Sequence, residues 1–371
     1  MSGYRVNKDL IWIWLSQLGR PVNKILRFLL DSFGDAEAIW SVDCKSAVPD
    51  CVLKNRELTG RLLDASRREK AALIYEKAVA DGGRITHLGR KNYPTLLKQI
   101  YAPPVILYYY GKLPYQVNPD MPLLAVVGSR SGTVYGKNMV YRLSCELAYC
   151  GLGIVSGLAR GIDARAHEGA IAGDGYTIGV LGGGADVIYP YENIHLYYKV
   201  REYGCVMSEY PPGTQPLRNH FPARNRILAG LTFGTFVCEA ARSSGTMITV
   251  DRAIEENRQI YALPGNADSQ LSEGTNHLIK HCAVCVTGYR DILEDIGFEP
   301  NRYPPENAVM KLRGLEGNTL KVGEAIGKGY GTPDTIQRAT KLSSGAIQTA
   351  LTILEVKGIV RRNPRGGFYL T

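Results

Sequence analysis

The sequence predicts an α/β protein in which a doubly wound parallel sheet lies between a small helical domain and a C-terminal winged helix. Three observations lead to this prediction. Apolar residues recur at helical spacing before residue 82, and short apolar runs alternate with amphipathic stretches from Leu123 onward. The last segment combines two short helical patterns, a longer one and a turn-closed hairpin.

Composition limits the possible classes of protein. A chain of 371 residues suggests two or three domains. With 45% hydrophobic and 21% charged residues it is globular rather than disordered or fibrous. The net charge of +9 suits a polyanionic partner, although charge alone fits a solvated basic surface equally well.

The apolar stretch in MSGYRVNKDLIWIWLSQLGR is too short and interrupted for a signal peptide or a membrane span. We therefore expect a cytoplasmic protein with no membrane partner. Eight scattered cysteines do not resemble a disulfide framework. Cys282 and Cys285 form a lone CxxC with no second pair, so we expect half-buried strand thiols and no metal site.

Four regions follow from these patterns. Residues 1–82 form the helical domain, and Gly82 and Gly83 begin a connection that leads to a Pro- and Tyr-rich stretch, predicted as an edge hairpin. Residues 83–298 alternate strands with helices, which is typical of crossover units in a parallel sheet. A linker at 299–308 precedes the winged helix at 309–371, in which Thr332, Ser343 or Ser344 are candidate helix starts.

Ligands of open parallel sheets gather where strands end, and the loops at these points are rich in glycine and arginine. Glycines allow backbone N–H groups to approach a phosphate, and helix N-termini add partial positive charge. The alternative is that these glycines only make tight turns. The candidate phosphate-binding residues are Gly128, Ser129, Arg130, Ser156, Gly157, Arg160, Gly161, Arg242, Ser243, Ser244, Gly245 and Thr246.

The loops match neither GxGxxG with its acidic partner nor GxxxxGK[ST]. A dinucleotide or a magnesium-bound triphosphate is therefore not indicated, and we predict no cofactor. Nothing in the sequence assembles a nucleophile with its base.

Five segments resemble successive signature segments of the DprA/Smf family of DNA-processing proteins, in the same order: VVGSR, SGLARGIDARAHEGAI, GVLGGGADVIYPYEN, HFPARNRILAGL and EAARSSGTMITVDRAIEENRQIYALPGN. The resemblance covers roughly residues 90 to 295. It implies an extended Rossmann-like fold that binds single-stranded DNA and forms a homodimer. It also implies delivery of incoming strands to RecA in natural transformation, with single-strand-binding protein as a further candidate partner.

The same resemblance implies roles for particular residues. Arg130 is a main phosphate contact, and Arg218 is the basic position before the FPxRN-like segment. Phe221 either stacks on a base or packs the following helix. The remaining positions either grip phosphates or pin the loop to Asp163 and Glu239; they are Arg224, Asn225 and Arg226.

Asp163 and Glu239 are paired acidic candidates, but beside several arginines we expect them to orient loops through ion pairs rather than to perform acid/base chemistry. His167 has no neighbouring nucleophile and is expected to pack or cap. We therefore expect a binding protein rather than an enzyme.

The flanking domains resemble the family less sharply. The N-terminal helices occupy the position of a sterile-alpha-motif-like domain. The C-terminal unit has Arg361, Arg362 and Arg365 on or beside its wing, and Gln348 and Lys357 are the candidate base readers of its longer helix. Duplex readout and protein contact are both open for this unit.

Two alternative functions remain. One is a nucleotide phosphoribohydrolase of the lysine-decarboxylase-like Rossmann group, but the PGGxGTxxE segment of those enzymes is replaced here by EAARSSGTMITVD. The other is a nucleotide-sensing regulator that binds duplex DNA through the winged helix. The relative affinity for duplex and single strands discriminates the regulator from a single-strand binder.

Overall fold

A computed structural model describes residues 7–19, 22–118, 120–300, 302, 304, 315–362 and 367–370. The chain divides into two compact units, one ending at Glu299 and the other beginning at Pro300. The domain boundary predicted between residues 82 and 83 falls inside the first unit. Most of the linker predicted at 299–308 lies outside the described residues, as does Arg365.

The first unit begins with a layer of short helices. Asn7, Asp35, Asn55 and Asp64 are N-caps whose side chains accept backbone N–H bonds, which explains where four of these helices start. Their apolar faces share one hydrophobic cluster with Ile85 and Ile106 of the sheet edge. The helices are α1 Lys8–Leu15, α2 Val22–Phe33, α3 Ala36–Trp40, α4 Asp50–Leu53, α5 Arg56–Leu63 and α6 Ala65–Ala80.

A sheet of nine strands follows, in the order β1-β2-β6-β5-β4-β3-β7-β8-β9. β1 and β2 are antiparallel, as the predicted edge hairpin requires, but helix α7 (Thr95–Lys98) interrupts their connection. The strands are β1 Arg84–His87, β2 Ile106–Gly111, β3 Leu123–Val127, β4 Gly153–Ser156, β5 Thr177–Val180, β6 Cys205–Ser208, β7 Gly234–Val237, β8 Gln259–Ala262 and β9 Ala283–Cys285.

From β6 to β9 all neighbouring strands are parallel. Alternate residues of β3 enter different cores, with Leu123 and Val127 in one and Leu124 and Val126 in the other. Both faces are therefore covered, and the predicted doubly wound class is confirmed. The remaining helices are α8 Pro114–Val117, α9 Val134–Tyr149, α10 Ile162–Ala172, α11 Ile194–Tyr203, α12 His220–Leu231, α13 Gly245–Glu255, α14 Gln270–His281 and α15 Tyr289–Asp295.

The chain winds outward from β3 in two directions. It first passes through β4, β5 and β6 on one side, then returns along α12 to continue from β7 to β9 on the other. The direction of winding reverses between β3 and β7, which are hydrogen-bonded neighbours. Such a reversal opens a crevice at the carboxyl ends of the two strands, where ligands of this class of sheet bind.

The second unit has the predicted winged-helix pattern. Thr332 caps one helix, with Pro333 in its first turn, and Ser343 caps the next. Its elements are α16 Gly317–Gly327, α17 Pro333–Thr340, α18 Ser344–Val356, β10 Val360–Arg362 and β11 Phe368–Leu370.

The two CxxC cysteines differ from the prediction of half-buried strand thiols. Cys285 lies on β9 and Cys282 follows α14, and both are exposed. No group of three or more metal-ligating side chains is assembled within the described ranges. Of the helices in that part of the chain, none has the length and apolar character that crossing a bilayer requires.

Candidate nucleic-acid interface

The rim of the sheet at the reversal point is built from the loops that follow β4, β3 and β7. These strands are neighbours, so their carboxyl ends lie side by side. The backbone N–H of Ile162 donates to the carbonyl oxygen of Ser129 at 3.2 Å, which joins the first two loops. The N–H of Ser129 donates to the carbonyl oxygen of Glu239 at 2.8 Å, which joins the second loop to the third.

Glu239 fixes the entry to α9. The carboxylate is 3% exposed and accepts bonds from the backbone N–H of Thr133 at 2.8 Å and from its hydroxyl at 2.5 Å. Thr133 is in turn the N-cap of α9. A carboxylate beside a helix N-terminus is favoured by the helix dipole, so Glu239 acts as a brace for the loop that carries Arg130.

A second buried carboxylate, Asp163, holds the loop after β4. It accepts backbone N–H bonds from Gly157, at 3.1 Å, and from Ala159. Burial raises the pKa of Asp163, while the neighbouring Arg224 guanidinium and these two N–H groups oppose the rise. Asp163 is thus committed to the shape of the loop.

Arg224 lies inside the protein rather than on the rim. Its guanidinium is buried beside Asp163 and donates to the carbonyl oxygens of Gly157 and Val180. Burial lowers the pKa of Arg224 to about 10, which leaves the side chain protonated at neutral pH. Of the two roles considered for this residue, this geometry favours holding the loop, because the side chain is buried and its Nη1 donates to both carbonyl oxygens.

The neighbours of Arg224 are also engaged. Arg226 forms an ion pair with Glu209, both side chains being about four-fifths buried, and not with Asp163 or Glu239 as the sequence suggested. Asn225 is half-buried, and its amide oxygen accepts a bond from Arg224 at 3.3 Å. The Arg-Asn-Arg cluster is therefore mainly a brace for the start of α12.

Arg130 is an exposed cation on the loop that follows β3, at the reversal point. Its guanidinium lies over the ring of Phe221, 5.3 Å from the ring centroid, and Phe221 lies 5.8 Å from the ring of Tyr189. Phe221 also packs against Gly182, where a Cβ atom would come within 3.0 Å of the ring. A cation and two aromatic faces are thereby brought together on one surface.

Close approach between loops explains one glycine of the SGLARGID segment. Gly161 has φ +74°, and a Cβ atom there would lie 2.5 Å from the carbonyl oxygens of Ser129 and Arg130. Only glycine tolerates both the backbone conformation and the contact. Gly128 is similarly crowded by Ile162, so these glycines serve loop packing as well as any ligand.

Three further arginines of the prediction lie on exposed loops. The guanidinium of Arg160 is paired with Glu192 at 2.7 Å, and both side chains are more than half exposed. Arg218 is exposed and has no ion pair with a described residue. Arg242 and the adjacent Ser243 are exposed after β7. Exposed ion pairs contribute little stability, so Arg160 can exchange Glu192 for a phosphate at small cost.

Two predicted serines do not face the solvent. Ser156 is fully buried, and its hydroxyl donates to the carbonyl oxygen of Val126 at 2.6 Å, so it ties two strands together rather than binding a phosphate. Ser244 is the N-cap of α13, and its buried hydroxyl has no partner among the described residues. Gly245 and Thr246 form the first turn of that helix, with Gly245 exposed.

His167 packs inside the protein. Its Nδ1 lies 2.7 Å from the hydroxyl of Thr177, and burial lowers the pKa of the imidazole to about 3. The ring is therefore neutral at physiological pH and does not reach the rim.

Sequence reasoning did not single out Thr133, Tyr189 or Glu192. Thr133 could have been found as a helix cap, because it precedes an apolar-periodic run. Tyr189 lies in the segment GVLGGGADVIYPYEN, which resembles the family. No local signal indicates which tyrosine of that segment contacts Phe221. The pairing of Glu192 with Arg160 depends on the fold alone.

Comparison with known proteins identifies the family. The family model for DNA recombination-mediator protein A matches residues 84–297, which is more than half of the chain. The chain belongs to this family. A second model, the DprA winged helix domain, matches residues 306–366, and the family resemblance inferred from the sequence is confirmed.

Individual relatives agree with this assignment. DNA processing protein DprA of Streptococcus pneumoniae is 46% identical over 206 residues, which is 56% of this chain and 72% of that protein. An X-ray structure of the Streptococcus pneumoniae protein superposes with a TM-score of 0.62 and 36% identity, covering 78% of this chain and 96% of that one.

A structure of DNA processing protein A from Helicobacter pylori, described for its single-stranded DNA binding mode, is also similar. It has a TM-score of 0.52 and 28% identity, covering 58% of this chain and 95% of that one.

The buried pair predicts the result of a substitution. Arg224→Met keeps the volume of the side chain but leaves Asp163 buried without its cation, and we expect a loss of about 3–5 kcal/mol in the free energy of unfolding. Urea denaturation measures the change. The single variant Asp163→Asn and the double variant Arg224→Met/Asp163→Asn complete the cycle. The double variant should lose less stability than the sum of the two single losses; additive losses would show that the two groups are not coupled.

Proposed function

We propose that the rim binds single-stranded DNA without sequence preference and that the protein delivers the strand to RecA during recombination of incoming DNA in natural transformation. The observation that carries the proposal is the contact of the exposed Arg130 guanidinium with the Phe221 ring at the reversal point of the sheet. Phosphate-binding cations beside stacking aromatics are the combination that binds single strands in general.

The path of the strand follows the exposed cations. From Arg130 it runs toward Arg160 on one side and toward Arg242 on the other, with Arg218 at the loop before α12. Each arginine offers a planar fork that matches a phosphate. Contacts of this kind neutralise the backbone and carry no base identity, which accounts for binding without sequence preference.

Single strands are favoured over duplexes by the aromatic part of the rim. Phe221 and Tyr189 present ring faces close to Arg130, and a base must leave its pairing partner to stack on them. The Helicobacter pylori relative, described for single-stranded DNA binding, supports the same preference for this chain.

A binding role is also supported by the state of the acidic groups. Asp163 and Glu239 are buried and occupied by N–H or O–H donors from the loops. His167 is buried and has a strongly lowered pKa. The carboxylates of the rim and His167 thus hold the structure in place and are not free for acid/base chemistry. We propose that the protein binds DNA and catalyses no reaction on it.

We propose a protein-contact role for the winged helix rather than duplex readout. The exposed face of α18 carries Gln348, Thr352, Glu355 and the 83% exposed Val356, and no Lys or Arg lies between its described ends. A recognition helix ordinarily brings cations to the phosphates. RecA, single-strand-binding protein and a second copy of the chain are the partners that the family resemblance suggests.

Removal of one phosphate contact predicts a change in salt dependence. Arg130→Ala should weaken binding to fluorescent poly-dT and reduce the slope of log affinity against log salt by about 0.7, the value for one phosphate on a single strand. The matched charge control is Arg27→Ala, which removes an exposed arginine of α2 in the N-terminal layer of helices. This variant should bind the DNA as tightly as the unsubstituted protein. An unchanged slope for Arg130→Ala would assign Arg130 to the structure of the loop.

Stacking on Phe221 predicts a different signature. Phe221→Leu should lose about 1–3 kcal/mol of single-strand affinity with the salt slope unchanged, because no charge is removed. Phe221→Tyr keeps the ring and should retain most of the affinity. If leucine binds as tightly as phenylalanine, the ring only packs the start of α12.

Delivery to RecA is tested with RecA ATPase activity on DNA coated with single-strand-binding protein. The protein should shorten the lag before RecA begins to hydrolyse ATP, and Arg130→Ala should shorten it less at equal protein concentration. A lag that stays unchanged while the strand is tightly bound would leave the DNA-binding part standing and refute the delivery part.

A further inference from the structure

A cavity of about 620 Å³ opens beside the rim, on the β7 and β8 side of the reversal point. Its size lies in the range of small-ligand pockets. It is lined by the start of α9, the end of β7, the loop after β8 and the start of α14, through Thr133, Val134, Tyr135, Glu239, Pro264, Gly265, Asn266, Ser269 and Ser272.

The walls of this cavity are held in place before any ligand arrives. The hydroxyl of Tyr135 donates to the carbonyl oxygen of Pro264 at 3.0 Å, which fixes the ring at the mouth. The side chain of Asn276 donates to the carbonyl oxygen of Gly265 at 3.0 Å and accepts from its N–H at 3.2 Å. A preformed site of this kind costs little ordering entropy when it is filled.

The lining carries no basic side chain and is unsuited to phosphate. None of the described lining residues is Lys or Arg, and the one carboxylate, Glu239, is occupied by Thr133. Apolar surface is exposed at the mouth, where Val134 is 76% and Tyr135 48% accessible. The ligand that fits has a flat apolar face.

The floor of the cavity adds hydrogen-bonding groups. Ser272 lines the cavity and is 5% exposed. Ser269 is the N-cap of α14 but makes no capping bond with its side chain, and the amide of Asn266 is exposed beside it. Hydroxyl and amide side chains of this kind suit a ligand with a polar edge.

We propose that this cavity binds a nucleobase, supplied either by the bound strand or by a free nucleotide. A base has the flat face that Tyr135 can stack against and an edge of donors and acceptors for the serine and asparagine side chains. The inference rests on the proposed function, because the loop that carries Arg130 runs directly into Thr133, and the loop that carries Arg242 begins at Glu239. Phosphates held by these arginines bring a base to the mouth of the cavity.

The experiment is photo-cross-linking with a dT oligonucleotide that contains 5-iododeoxyuridine, followed by mass spectrometry of the peptides. Irradiation replaces the carbon–iodine bond with a carbon–carbon bond to an adjacent aromatic ring. We expect a cross-linked peptide that contains Tyr135, and we expect Tyr135→Leu to abolish it while Tyr135→Phe retains it. Tyr115→Leu, which removes a 60% exposed tyrosine of α8, is the matched control and should change nothing.

Two further measurements separate the sources of the base and the possible failures. Strand affinity is measured by fluorescence anisotropy on the same samples, and 5-iododeoxyuridine monophosphate is tested alone. Labelling of Tyr135 by the monophosphate without strand binding would support the cavity and refute the strand-binding function. Tight strand binding with cross-links only at Phe221 or Tyr189, and no labelling by the monophosphate, would overturn the cavity assignment and leave strand binding intact.

A variant that fills the cavity provides an independent check. Ser269→Trp introduces a bulky side chain among the lining residues. Tyr135 and the arginines of the rim are left unsubstituted. We expect it to reduce the Tyr135 cross-link at least fivefold and to leave the salt slope of strand binding unchanged. An undiminished cross-link would mean that the base lies outside the cavity.

Discussion

The electrostatic attraction between the buried Asp163 carboxylate and the buried Arg224 guanidinium is the interaction on which the rim depends. Both groups are buried, and together they bind the loop after β4 to the end of β5 and to α12 through backbone N–H and carbonyl groups. Burying two charges costs desolvation free energy that offsets their attraction, while removing one partner strongly destabilises the protein. The pair therefore fixes the conformation of the loop and adds little net stability. The loop after β4 in turn carries the N–H of Ile162 that joins it to the loop of Arg130.

The two buried acids of the rim are bonded within the loops. Asp163 accepts backbone N–H bonds from Gly157 and Ala159, and Glu239 accepts bonds from the N–H and the hydroxyl of Thr133. Arg130 therefore rests on an aromatic ring instead of an acid. A cation over a ring keeps its full charge and most of its hydrogen-bonding capacity, which is the state that suits capture of a phosphate.

The fold was predictable from the sequence where local chemistry decides it. The period-two and period-3.6 patterns place the strands and helices, and caps such as Thr332 and Ser343 set helix starts. The fate of the polar groups on the rim was not predictable in the same way. Ser156 was predicted to bind phosphate but is buried, and for Arg224 the sequence could not decide between a phosphate contact and the loop-holding position beside Asp163. Arg226 pairs with Glu209. These contacts join segments that only the folded sheet brings together.

The reversal of winding also explains why charged and uncharged surfaces lie side by side. Arg130 after β3, Arg160 after β4 and Arg242 after β7 are exposed on the rim, and the ring of Phe221 lies beside Arg130. On the β7 and β8 side, Glu239 is turned toward the start of α9 and the lining carries hydroxyl, amide and apolar groups. A nucleotide has the same two parts, an anionic backbone and a neutral base. The rim of the crevice between β3 and β7 and the adjoining cavity therefore offer groups that match both parts of a nucleotide.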